Sequence, residues 1–115
     1  MVNITQMTKG ILEGCVLQIL DNQKLFSKEI VFQIQELGFT HVTDGTLFPL
    51  LLRLEQEGYF DIELVPVTNG PKRKYYTLNI DGKAELLRFI EVWKSLEHNV
   101  NITLKRGEEH VGNEK

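Results

Sequence analysis

Lys72, Arg73 and Lys74 stand side by side, and Tyr75 and Tyr76 follow them directly. From Thr68 to Asn79 the chain carries these three cations and no acid. Such a cluster can neutralise phosphates, and phenolic hydroxyls can add hydrogen bonds to the same oxygens. It also suits the plainer task of keeping a strand edge soluble. A second set is Thr46, Pro49 and Arg53, spaced by three and four so that a helix projects them together. Short polar groups and a guanidinium on one helix face can reach base edges in a major groove. Phe48 and Leu52 flank that face, where a solvated helix would carry polar residues.

Chemistry of other kinds finds little support. Cys15 sits within an apolar helical pattern, where a cysteine behaves as a small hydrophobe. His41, His98 and His110 lack the spacing of metal ligands, Ser27 and Ser95 lie in no nucleophile motif, and no phosphate-cradling glycine pattern occurs. The expectation is a protein that is not an enzyme and needs no cofactor or metal.

The chain has 115 residues, enough for one compact domain, and 42% of them are hydrophobic, which excludes wholesale disorder. No run approaches a membrane span, and Met1 to Gly10 holds no signal-like apolar segment. With a lone cysteine, this predicts a cytoplasmic protein. The net charge of −3 argues against nucleic acid only until the acids are located. They concentrate at Glu13, Glu36, Glu55, Glu57 and the C-terminal tail, away from the basic cluster.

The elements that must hold these residues follow from periodicity. Ile11, Leu12, Cys15, Val16, Ile19 and Leu20 recur at helical steps, with Thr8 as N-cap and Asp21-Asn22 as the stop. Ser27 can cap a second helix burying Ile30, Val31, Ile34 and Leu37, with Gly38 ending it. Leu47, Leu50, Leu51 and Leu54 form the buried face of a third, closed by Gly58. Pro49 is compatible with a start at Thr46, or with a start at Thr43 and a local distortion. Phe60, Ile62 and Leu64 then alternate as in a half-buried strand, Asn69-Gly70 signals a hairpin, and Lys72–Leu78 returns. Asn79 can cap a last helix reaching Leu104, roughly 37 Å long. Lys105 to Lys115 reads as a flexible tail.

This order predicts a mainly α protein with a β-hairpin: a winged helix-turn-helix at 1–79, a C-terminal dimerisation helix at 80–104 and a tail at 105–115. In that last helix Leu86, Phe89, Trp93, Leu96, Val100 and Leu104 approach a coiled-coil seam, while Ile80, Ala84 and Leu87 lie on the opposite side. Two apolar sides require two partners. The expectation is the chain's own domain on one side and a second copy on the other.

The same residues resemble the PadR family of bacterial transcriptional regulators, over about Met7 to Leu104. The resemblance rests on Lys9-Gly10-Ile11-Leu12-Glu13, on Gly45-Thr46-Leu47-Phe48-Pro49 through Arg53-Leu54-Glu55, and on Glu57-Gly58. It continues in Gly70-Pro71-Lys72-Arg73-Lys74-Tyr75-Tyr76, Leu78 and Gly82. Departures are Phe48 where a tyrosine is usual, Leu52 where a polar or basic residue is common, and Phe26-Ser27-Lys28-Glu29-Ile30 in place of Tyr-Gly-Tyr-Glu-Ile. The resemblance implies a homodimeric repressor of the small subfamily, which includes multidrug sensors. Thr46, Pro49 and Arg53 would then approach the major groove of an inverted-repeat operator, and Lys72, Arg73 and Lys74 its phosphates. Leu86, Phe89, Trp93, Leu96 and Val100 would join two copies. Trp93, with Ile90 and Glu97, either fills that interface as core or sandwiches a planar aromatic cation. A winged-helix module that binds protein rather than DNA is the competing expectation.

Overall fold

The computed structural model describes residues 3–113, with side chains through residue 107. Short helix α1 (Ile4–Thr8) leads into α2 (Leu12–Ile19); strand β1 (Leu25–Phe26) and α3 (Ser27–Glu36) follow. Then come α4 (Asp44–Gln56), the hairpin β2 (Phe60–Val65) and β3 (Arg73–Leu78), and α5 (Ile80–Asn113). The sheet is antiparallel in the order β1-β3-β2. The expected winged helix-turn-helix with its long C-terminal helix is present.

The core is where the helical apolar faces converge. Leu12, Val16, Leu17 and Leu20 of the α2 region meet Ile30 and Ile34 of α3, and Leu47, Leu51 and Leu54 of α4. The first helix is not continuous from Met7, as the periodicity suggests, but breaks at residues 9–11. Thr8 does not cap α2; it is buried, and its hydroxyl donates to the Ile4 carbonyl. Asn22 takes a left-handed φ of 67° just after α2, a conformation asparagine tolerates. Ser27 is the first helical residue of α3 rather than its cap: the Phe26 N–H donates to Glu29 Oε1 at 3.1 Å. Leu37 is exposed, because the helix has ended before its turn reaches the core. Gly38, at φ +112°, closes α3 as expected.

The two readings of Pro49 resolve in favour of the long helix. α4 starts directly after Thr43, so Pro49 lies inside it. The missing N–H leaves the Gly45 carbonyl without its helical donor, and Gly45 is exposed, so water can satisfy it.

The wing also differs from the simple hairpin. Val65 pairs with Arg73, so residues 66–72 form the connection, not a two-residue Asn69-Gly70 turn. Pro66 and Pro71 cannot donate to a ladder, which ends the pairing early. Gly70 still supplies the positive φ, at +133°. Phe60 is buried, but Ile62 and Leu64 are exposed, since the strands run outward past the helices that cover their base. β1, two residues long, has no period to read; it pairs Leu25 with Tyr76 and Phe26 with Tyr75.

Asn79 caps α5: its Oδ1 accepts from the Gly82 N–H at 2.8 Å. The same side chain donates through Nδ2 to the Gly58 carbonyl at 2.7 Å, fastening the start of α5 to the end of α4. At Gly82 an added Cβ would lie 2.2 Å from the Tyr59 carbonyl oxygen, so only glycine permits this approach. The helix does not stop at Leu104 but continues to Asn113, which makes it about 51 Å long. The expected tail from 105 is therefore helical through 113; residues 114–115 lie outside the described residues.

The apolar stripe of α5 is used differently from the expectation. Leu86 is buried in the chain's own core, and Phe89 covers Gly14 of α2 so closely that no Cβ would fit there. Ile90 also rests against the core. Leu86 and Phe89 therefore serve the chain's own domain, while Ile80 and Leu87, expected on that side, are exposed. The stripe then runs off the domain: Leu96, Val100 and Leu104 are exposed.

Candidate nucleic-acid interface

Four leucines pull α4 onto the core, and this rotation leaves Thr46, Pro49 and Arg53 exposed, as their spacing predicts. These three residues form one wall of a groove of about 560 Å³. Its other wall comes from α1 and the turn after it, through Asn3, Gln6, Thr8 and Lys9. On the opposite flank, Phe48 and Leu52 line a smaller groove of about 210 Å³ with Ser27, Tyr76, Glu55 and Lys74. α4 is thus a ridge between two grooves.

Arg53 is not bare. Its guanidinium is paired with the Glu13 carboxylate of α2, across the first groove's edge. Lys74 points back toward α4, with its Nζ 3.0 Å from both carboxylate oxygens of Glu55. The hydrogen bond to Glu55 raises the Lys74 pKa, so the ammonium stays charged at any physiological pH. Sequence spacing shows neither partner, because Glu13 and Glu55 are polar positions on helices whose mutual placement is a tertiary matter.

The remaining wing cations are held differently. Arg73 lies over the Phe26 ring at 4.1 Å, and Phe26 meets Tyr75 edge-on at 5.5 Å. That stack holds the guanidinium through a cation–π contact, and Arg73 remains exposed. Lys72 stands exposed in the loop and makes no ion pair among the described residues. Tyr76 is buried under the sheet, and burial raises its phenol pKa; it is core rather than a surface hydroxyl. The structure therefore brings α4 and the wing onto one surface, joined by the Glu55–Lys74 pair. It does not bring Trp93 to that surface. Trp93 is half-buried on α5, Ile90 precedes it against the core, and Glu97 is exposed.

Residues 16–88, most of the winged-helix portion, match the Transcriptional regulator PadR-like family. The chain belongs to the PadR-like family. Members of this family are transcriptional regulators and not enzymes. Among solved structures, a PadR-like regulator from Bacillus cereus is 37% identical, with 86% of this chain and 96% of that one covered at a TM-score of 0.76. A PadR-family regulator from Eggerthella lenta is 26% identical, with 88% of each chain covered at a TM-score of 0.79. The Bacillus subtilis PadR bound to operator DNA is 27% identical at a TM-score of 0.63, covering 70% of this chain and 46% of that one. Among its described residues this PadR-like chain has no helix long and apolar enough to cross a membrane.

Proposed function

We propose that this PadR-like protein is a cytoplasmic, homodimeric repressor that binds an inverted-repeat operator and leaves it when a planar aromatic cation binds. The observation that carries the reading is that Thr46, Pro49 and Arg53 are exposed on α4, and that the Glu55–Lys74 pair ties this helix to the wing carrying the exposed Lys72 and Arg73. The operator complex of the Bacillus subtilis relative supports it. In this reading α4 enters the major groove and the wing follows the flanking backbone. The exposed run of Leu96, Val100 and Leu104 joins two copies, which sets the two α4 helices on successive half-sites.

Salt dependence tests the DNA contact. Lys72→Ala with Arg73→Ala removes two phosphate partners and should lower the slope of log affinity against log salt by about 1.8. Lys74→Ala should change it less, because Glu55 already neutralises that ammonium. A wild-type protein that binds no duplex of its promoter region at low salt returns the surface to a protein partner. For the effector, Trp93 fluorescence should be quenched by planar aromatic cations at concentrations that also release DNA. Quenching by none of a varied set would make Trp93 interface core only.

A further inference from the structure

Phe48 and Leu52 lie one turn apart on α4 and are 40% and 53% exposed. The helix does not need them for its packing, because Leu47, Leu50, Leu51 and Leu54 already fill its buried side. Two large apolar groups left in water on an otherwise polar face are a cost that a partner surface recovers. The frame around them shows the partner's character. Lys74 stands in the same groove, Arg73 and Lys72 follow on the wing, and Lys28 is exposed at the start of α3. Within the groove Glu55 and Lys74 neutralise one another, so the free charge of the frame is the positive charge of Lys72, Arg73 and Lys28. An occupant must therefore be anionic at its rim and apolar at a point in its centre. The DNA major groove is such a surface: phosphates border it, and each thymine projects a C5-methyl group into it.

We propose that Phe48 and Leu52 are specificity-determining residues that read thymine methyl groups, so that each operator half-site carries thymine opposite this edge of α4. The proposal rests on the DNA-binding reading above and adds the base that is read. Apolar contact discriminates thymine from cytosine, which lacks the methyl and offers an N4 donor instead. Arg53, on the other flank of α4, is left to a hydrogen-bonding base edge once DNA displaces Glu13. The two flanks of one helix would then read by different chemistry.

The test is duplex DNA selected by the wild-type protein from a random pool, resynthesised with deoxyuridine in place of thymidine at one position at a time. Deoxyuridine keeps every hydrogen-bonding group and loses only the methyl. At one or two positions per half-site it should weaken binding about fourfold, the effect of one buried methyl-sized group, and about sixteenfold with both half-sites changed. Phe48→Ala or Leu52→Ala, both at exposed positions and checked for retained helicity, should bind thymidine and deoxyuridine duplexes equally at those positions. Wild-type affinity indifferent to deoxyuridine throughout overturns the proposal while leaving DNA binding intact. So does a deoxyuridine penalty that both alanine variants keep. A wild-type protein that enriches no duplex overturns the proposal together with the DNA-binding reading, and assigns the patch to a protein partner.

Discussion

The two halves of α5 continue one apolar stripe, yet they meet different surroundings. From Asn79 to Ile90 the helix is tied down by a cap, two glycine contacts and the burial of Leu86, which is 5% exposed. Beyond the half-buried Trp93 the same spacing of large side chains is left exposed: Leu96 and Val100 are 51% and 47% exposed. A stripe read along the sequence shows that burial is needed. It does not show by whom. The answer changes near Trp93 because the globular part, only three short helices deep, ends before the helix does.

Substitutions can break this contrast, and the largest effect belongs to the outer half. Leu96→Asp places a charge in the proposed seam, where an unpaired buried charge costs about 3–5 kcal/mol. Sedimentation should find a monomer whose helical signal is retained, since Leu96 supports nothing within the chain. A dimer of unchanged affinity would remove this half of α5 from the interface.

In the inner half, Leu86→Ala should cost about 2–5 kcal/mol of folding stability in a chemical melt, through lost burial and a cavity. The same variant, refolded at low temperature, should keep its dimer affinity, because Leu86 faces α2 and the core rather than a second copy. A loss of dimer with no loss of stability would return Leu86 to the intermolecular seam.

Glycine gives the smaller and sharper contrast, because one substitution changes sign between the halves. At Gly82 the new Cβ meets backbone, and the resulting shift should cost about 1–3 kcal/mol, more than alanine's helix propensity of about 1 kcal/mol returns. At Gly107 nothing lies within 4 Å, so alanine should stabilise by up to about 1 kcal/mol. Thermal melts of the two variants should move in opposite directions. Equal shifts would mean that α5 is held alike along its length.

Much of the architecture could be read from residue types and periods. Leucines at helical spacing placed α4, Gly38 and Gly58 marked the ends of α3 and α4, and Asn79 announced the cap it makes. The exposed trio Thr46, Pro49 and Arg53 followed from the same rotation, since a helix that buries four leucines has one remaining face. These are local consequences of backbone geometry and of hydrophobic burial, which each segment carries in its own residues.

Other features depended on what lay opposite. Ile62 and Leu64 alternate like buried residues but extend past the cover, and β1 exists because β3 offers it an edge. The cations were legible as charges, yet their pairing was not. Arg53 is held by Glu13 from a helix forty positions earlier, Lys74 by Glu55, and Arg73 by the ring of Phe26. Lys72 alone of the basic triplet has no such partner among the described residues. Composition and spacing determine that a face will be apolar or charged, because those properties belong to side chains. Which face is satisfied from within the chain, and which is left for another molecule, is decided by distances across the fold, and those exist only once the helices have packed.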